Sequence, residues 1–238
     1  MALLAVLPAA GCGAAPGEGP TISVFAAASL TDAFSDIADS FEAGHPGTTV
    51  VLSFAASSPL REQILEGAPA DVFASADPET MAAVADAGLV DGEPAVFAIN
   101  ALTIAVPAGN PAGIVGIEDF ADPAGLTGAC APQVPCGALA DAVFTAAGIT
   151  PRLATAEPNV RSLLSKIENG DLDAGLVYVT DAAGSGRVDS VPLPEPNPST
   201  AYPIATLAGA PPAASGFVSF VLSPAGQGIL AEHQFGAP

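Results

Sequence analysis

Residues 21–41 read TISVFAAASLTDAFSDIADSF, and the two parts of this stretch follow different periods. TISVFA, residues 21–26, is rich in β-branched and aromatic side chains, as a strand requires. Leu30, Ala33, Phe34, Ile37, Ala38 and Phe41 then recur at three- and four-residue intervals, which is one face of an α-helix. Between them stand Ala26, Ala27 and Ala28, small side chains that leave the backbone approachable. Ser29 reads as the helix N-cap, with Asp32 three residues on in a variant of the capping box. A strand feeding a helix through a short turn is the repeating unit of an α/β fold.

The unit recurs along the chain. Gly44-His45-Pro46-Gly47 stops the first helix, and TTVVLSFA (48–55) reads as a second strand. Ser57-Ser58-Pro59 opens the next helix, with Pro59 expected at its first position. ADVFAS (70–75) reads as a buried strand, and Asp77-Pro78 caps a helix ending at Gly88. ALTIAV (101–106) is a strand closed by Pro107, and residues 107–135 read mostly as loop. A helix is expected over 137–147 and another over 160–169, capped by Asn159 and followed by Gly170. AGLVYV (174–179) and residues 202–207 are strands, with a Gly/Pro/Ser loop over 184–200 between them. An apolar helix over 213–222 follows, and Ser223-Pro224 opens a last one. Alternation of this kind predicts α/β architecture with mostly parallel sheets flanked by helices.

Composition narrows the function. The 238 residues carry 5 basic and 25 acidic side chains, a net charge of −20, and Lys166 is the lone lysine. That balance argues against nucleic acid, because phosphate neutralisation needs a Lys/Arg patch. It argues equally against docking on an anionic membrane through a basic face. With 50% hydrophobic residues and only 13% charged, the chain is too apolar for a disordered acidic segment.

The chain opens MALLAVLPAAGC, an apolar run too short to span a bilayer. Ala9-Ala10-Gly11-Cys12 resembles a bacterial lipobox, although Ala9 stands where Leu is usual and no basic residues precede the run. An ordinary cleaved signal peptide is the alternative. Either way residues 1–19 are expected to lie outside the fold, as leader and tether, and the protein to be exported, with Cys12 as the lipidation site. Setting Cys12 aside leaves Cys130 and Cys136, which bracket APQVP. In an oxidising compartment this pair is expected to close as a disulfide. A metal site and a reactive thiol are the alternatives, but no His or second Cys pair lies near.

Enzyme signatures are missing from the sequence: no G-x-S-x-G, no HExxH, no Walker A, and no GxGxxG after a strand. His45 and His233, the two histidines, stand in a turn and in the terminal helix, without an evident orienting partner. What recurs is a hydroxyl or a bare backbone at a helix start: Ser29, Ser57, and the starts near Gly137 and Val160. Helix N-termini present unpaired N–H groups and a positive dipole end. Several converging would hold an anion without formal positive charge, although a serine N-cap ordinarily serves only its own helix.

Longer words carry a resemblance. VFAAASLTDAF (24–34), LSFAASSPLREQILEGAPADVFASAD (52–77), EPNVRSLLSKIENGDLDAGLVYVTDA (157–182) and AYPIA (201–205) resemble the ModA-type periplasmic molybdate-binding proteins of ABC transporters. The likeness runs from about residue 22 to the C-terminus. It implies a two-lobed type II periplasmic-binding-protein fold, with a tetrahedral oxyanion between the lobes. It implies side-chain ligands at Ser29, Ser57 and Tyr178 and backbone donors at Cys136 and Val160, with the Ala56 and Ser29 amides as further donors. Two positions depart from the familiar pattern: Cys136 at the P-x-G donor, and Ala56 where a third serine may stand.

On this reading lobe one holds residues 20–100 and 205–238, and lobe two residues 101–204. The hinge falls near Asn100-Ala101 and residues 203–205. The expected partners are molybdate or tungstate and a membrane permease, with no cofactor, no nucleic acid and a monomeric chain. Molybdate carries no proton at neutral pH, so a pocket of O–H and N–H donors suits it. Phosphate carries one and wants an acceptor, which none of these residues supplies as a carboxylate. Sulfate is the competing oxyanion, since only pocket size rejects it. A serine-dependent enzyme on the same scaffold, although neither serine has a base nearby in sequence, and a ligand-free interaction or structural lipoprotein are the remaining alternatives.

Overall fold

The computed structural model describes residues 19–238; Cys12 and residues 1–18 of the leader and tether expected over 1–19 lie outside them. β1 (Thr21–Ala27) leads through a 3-10 turn, Ala28–Leu30, into α1 (Thr31–Gly44). β2 (Thr49–Ala55), α2 (Ser57–Leu65), β3 (Val72–Ala74) and α3 (Pro78–Asp86) follow, and then β4, which runs 18 residues from Val90 to Pro107. Next come β5 (Thr127–Cys130), α4 (Pro135–Ala147), β6 (Thr155–Glu157), α5 (Val160–Glu168), β7 (Ala174–Tyr178) and α6 (Val179–Ser185). β8 (Val188–Val191), β9 (Ser199–Leu207), α7 (Pro212–Leu222) and α8 (Pro224–Glu232) complete the chain.

The strands form one mixed sheet in the order β2-β1-β3-β9-β4-β7-β5-β6, with β8 also on β4. It has two halves. β2, β1 and β3 are parallel in the first, as are β6, β5 and β7 in the second. β4 joins them: Val90 to Ala101 pair antiparallel with β9, and Leu102 to Ala105 pair antiparallel with β7. β9 lies between β3 and β4, and its ladder with β4 begins at Ser199.

The opening pattern of the sequence explains the first half. Leu30, Ala33, Phe34, Ile37, Ala38 and Phe41 are all buried. Phe34 meets Phe97 with ring centroids 5.6 Å apart, and Phe41 meets Phe217 of α7 at 5.4 Å. Each such ring contributes about 1.5–3 kcal/mol by leaving water. In the second half Leu163, Leu164 and Ile167 of α5 are buried against the sheet. Gly128 and Gly175 sit beneath them, where an added Cβ would come within 2.8 Å of Leu172 and Ile167 respectively.

Several local expectations are corrected. The stretch over 107–135 contains β5 and a 3-10 turn, Ile117–Ala121. β5 reads TGAC and is buried throughout, so it has no polar alternation to betray it. The stretch over 184–200 contains β8 and the start of β9. β4 begins well before residue 101, because register shifts between Asp91 and Ala95 absorb Pro94, which could not donate to a regular ladder. Ser29 is not a cap: α1 starts at Thr31, whose hydroxyl donates 2.6 Å to Ala28 O. Ser57, not Pro59, is the first residue of α2, and α4 starts at Pro135, not Gly137.

Side chains clasp the two halves. Arg161 of α5 pairs with Asp32 of α1, and its Nε reaches Ala28 O at 3.4 Å. Ser58 Oγ donates to Gln133 O at 2.8 Å. Behind Arg161 stands Asp181, fully buried, with one oxygen 3.0 Å from Arg161 Nε. Neither Asp181 oxygen meets a donor in hydrogen-bonding geometry. Burial raises its pKa from 3.8 to about 7, against the lowering by Arg161 and with a further rise from Asp32.

Two expectations follow from these contacts. A Cβ on Gly137 would stand 1.9 Å from Ala131 O. Helix propensity alone would make Gly137→Ala stabilising by about 1 kcal/mol; the clash should instead cost about 1–3 kcal/mol, measured by urea denaturation. For Asp181 the folded-state pKa lies above the ordinary value. Its contribution is therefore fully present below about pH 4 and is lost as pH rises through about 7. Asp181→Asn, neutral throughout, should raise the melting temperature more at pH 8 than at pH 5, by an amount equivalent to about 4 kcal/mol at most. An equal effect at both pH values would refute this linkage.

Candidate functional site

In open α/β sheets the loops at the carboxyl ends of parallel strands form the natural crevice. Here the two halves turn those ends toward each other across β4 and β9. β1 delivers Ala27, Ala28 and Ser29; β2 delivers Ala56 and Ser57; Ala76 follows β3. From the other side come Pro135 and Cys136 after β5, Asn159 and Val160 after β6, and Tyr178 at the end of β7. These residues line one small cavity. All five residues singled out from sequence, Ser29, Ser57, Cys136, Val160 and Tyr178, line this one space.

The hydroxyls are placed with defined polarity. Ser57 is buried, and its Oγ accepts from the Ala76 N–H at 3.0 Å. Ser29 is buried with its Oγ 2.9 Å from Tyr202 Oη. Tyr178 is buried, and among the described residues its hydroxyl makes no hydrogen bond of ordinary geometry, although the Tyr202 hydroxyl lies near enough for the two phenols to shift each other's titration. An orphaned buried O–H costs about 1–3 kcal/mol unless something accepts from it, so this phenol calls for an acceptor in the cavity. Burial raises the pKa of Tyr178 well above its ordinary value, with neighbouring Tyr202 adding to the rise, so it remains a donor at neutral pH.

The backbone adds donors of the same sign. Ser57 and Val160 are the first residues of α2 and α5, and Cys136 follows Pro135 in the first turn of α4. N–H groups at these positions have no intrahelical acceptor. Asn159 caps α5 by accepting from Ser162 N at 2.9 Å, which leaves the Val160 N–H free of that duty. Cys130 and Cys136 are joined as a disulfide, with Cα atoms 5.7 Å apart, so the loop entering α4 is covalently closed.

Among the described residues, no side chain with a formal charge lines the cavity. Glu157, on nearby β6, is occupied elsewhere. It accepts from Lys166, Ser162 Oγ and Thr155 Oγ1, and these bonds outweigh burial and bring its pKa down to about 2. His45 stacks on Phe41 and His233 meets Asp36 Oδ2 at 2.7 Å; neither lines the cavity. Among the described residues no three His, Cys, Asp or Glu side chains gather as metal ligands. The space is suited to accepting a small solute that only accepts hydrogen bonds.

Three residues that matter to this geometry escaped the sequence reading. Tyr202 lay inside the AYPIA word, but its bond to Ser29 spans 173 positions. Asn100 was read only as hinge, yet its Nδ2 donates 2.9 Å to Thr180 Oγ1 and also reaches Tyr202 Oη at 3.5 Å. Arg161 was visible as the third letter of N-V-R, with no signal that it bridges to α1.

Comparison with known proteins agrees with this architecture. The family model for bacterial extracellular solute-binding proteins matches residues 22–236. The molybdate-binding protein ModA of Mycobacterium tuberculosis is 42% identical over 230 residues, covering 94% of this chain and 88% of that protein. Among solved structures, the periplasmic molybdate-binding protein of Azotobacter vinelandii superposes with a TM-score of 0.80 at 21% identity, covering 91% of this chain and 99% of that one. The sulfate-binding protein SubI of M. tuberculosis gives 0.83 at 20% identity, covering 91% and 86%. At these identities the two structures speak for the fold, whereas the family match and the 42% relative speak for descent: the chain belongs to the bacterial extracellular solute-binding protein family.

Proposed function

We propose that this protein captures molybdate outside the cytoplasm, accepts tungstate in the same site, and delivers the ion to an ABC-type membrane permease. The observation that carries this reading is the set of three buried hydroxyls, Ser29, Ser57 and Tyr178, around a cavity without a charged side chain. Ser57 already accepts from Ala76, and Tyr178 has no partner. A fully deprotonated tetrahedral oxyanion accepts from all three and from the amides of Val160 and Cys136. A protonated one, such as hydrogen phosphate, brings a donor that meets no carboxylate there. The 42% identity to a protein named for molybdate binding supports the choice of ion.

In this reading the lobes are residues 20–100 with 205–238, and residues 101–204. β4 near Asn100-Ala101 and residues 203–205 of β9 serve as the hinge. Closure would bury the ion and present the surface that the permease reads. Cys12 anchors the exported chain to lipid, and the protein acts as a monomer without a cofactor. Hydrolysis is disfavoured because the neighbours of the two serines are a tyrosine and a backbone amide, not a base.

Isothermal titration calorimetry with sodium molybdate, tungstate, sulfate and phosphate tests the reading. Molybdate and tungstate should bind and phosphate should not. A thousandfold excess of molybdate over its Kd should stabilise the fold by about 4 kcal/mol. Ser29→Ala and Ser57→Ala should each weaken molybdate binding by about 1.5–3 kcal/mol, the worth of a hydrogen bond to a charged group. Tyr178→Phe should cost a similar amount or less, and His45→Ala and His233→Ala nothing. Sulfate binding as tight as molybdate would overturn the choice of ion, and serine variants that bind like the parent would overturn the site.

A further inference from the structure

Resting on the oxyanion reading above, we infer that Tyr202, held by Asn100, is a positioning residue that turns the single proton of Ser29 into the cavity. The geometry begins at Asn100, on the segment of β4 where the chain passes from one half of the sheet to the other. Its Oδ1 accepts from the Ala101 N–H at 3.0 Å, and this settles which end of the amide is which. Nδ2 therefore faces Thr180 Oγ1 at 2.9 Å and Tyr202 Oη at 3.5 Å. An amide nitrogen only donates. The 2.9 Å contact between Tyr202 Oη and Ser29 Oγ fits either direction of donation; with one lone pair of Tyr202 already facing a donor, the inferred arrangement sends the phenolic proton to Ser29 Oγ. Ser29 then accepts from the protein and has its own proton left for the cavity.

Burial makes this order matter. Asn100, Tyr202, Ser29 and Thr180 are all buried, so none exchanges its partner for water. The Tyr202 ring is held among Phe97, Tyr178 and Phe235, with centroids 6.2, 5.8 and 5.5 Å away. The phenol oxygen consequently has little freedom to leave Ser29. A chain of neutral donors running in one direction also polarises each successive bond, which strengthens the last one. If the chain ran the other way, Ser29 would spend its proton on Tyr202 and offer only a lone pair to an anion.

β9 contributes to the second serine as well. Thr200 lies two residues before Tyr202, on the same face of the strand. Its Oγ1 donates 2.8 Å to Ala76 O, and Ala76 N–H is the group that donates to Ser57. The two serine hydroxyls are thus set through neighbouring but separate contacts, which allows the Tyr202 path to be tested alone.

The test is a pair of double-mutant cycles read by calorimetry with sodium molybdate. Tyr202→Phe keeps the ring and removes the oxygen; it should weaken binding roughly threefold to tenfold, the worth of one neutral hydrogen bond. Added to Ser29→Ala it should cause no further loss beyond about twofold, because its effect runs through Ser29. Added to Ser57→Ala it should multiply the loss in full. A general loosening of the pocket would multiply in both backgrounds, and that result would overturn the inference. Asn100→Ala leaves the ring in place and should reproduce the same pattern with a smaller loss, so the question stays answerable even if Tyr202→Phe fails to fold. Parent binding with a weakened Ser29→Ala and a Tyr202→Phe equal to parent would overturn this inference alone. Failure of the parent and Ser29→Ala to differ would overturn the site reading beneath it.

Discussion

A hydroxyl has one proton, and the group that donates to its oxygen decides where that proton can go. Ser57 receives the Ala76 N–H, Ser29 lies against Tyr202, and Tyr178 receives nothing. Around them are N–H groups of helix first turns, which cannot accept at all. The cavity is therefore defined less by its shape than by the sign of its hydrogen-bonding groups. An occupant that only accepts satisfies every one of them. An occupant that also donates leaves one buried group unpaired, which carries a cost.

The fold supplies this polarity through its topology. Parallel strands end at one edge of a sheet, and each is followed by a helix or turn whose first N–H groups point back toward that edge. Two half-sheets sharing β4 set two such edges against one another. The antiparallel pair β4 and β9 passes directly behind the cavity, and Asn100, Thr200 and Tyr202 of that pair reach forward to the donor groups. Strands that carry the chain between the halves thus also hold the first-contact hydroxyls in register.

How far the sequence revealed this depended on the range of the interaction. The strand-to-helix unit at residues 21–41 was legible because its apolar period is local, and every residue of that helical stripe is buried. The five cavity residues were legible through short words carrying a family resemblance, and the disulfide through cysteine arithmetic. β5 and β8 were not, since a four-residue strand with a glycine or with exposed Asp189 and Ser190 has no usable period. Ser29 was misread as a cap because Ser before a helical pattern is the usual sign of one; here the 3-10 turn intervenes and Thr31 turns back instead. The contacts of Tyr202 with Ser29 and Arg161 with Asp32 join positions far apart in the chain, and no local pattern encodes them.

Charge at the site is handled indirectly. A net charge of −20 opposes an anion at long range, yet physiological salt screens it within about 8 Å. Arg161 stands beside the Ala28 carbonyl but does not line the cavity. Asp32 and the buried Asp181 engage it, while its Nε faces Ala28 O at 3.4 Å. Thr31 Oγ1 donates to the same carbonyl at 2.6 Å. Ala28 O belongs to the peptide whose N–H is that of Ser29. The Thr31 N–H donates to Ala28 O as well, and donors gathered on one carbonyl draw electron density toward it, since hydrogen bonds on one amide polarise one another. The guanidinium thus places no formal charge in the cavity lining. A bare arginine there would attract any anion, protonated or not, and the discrimination that the neutral donors provide would be diluted.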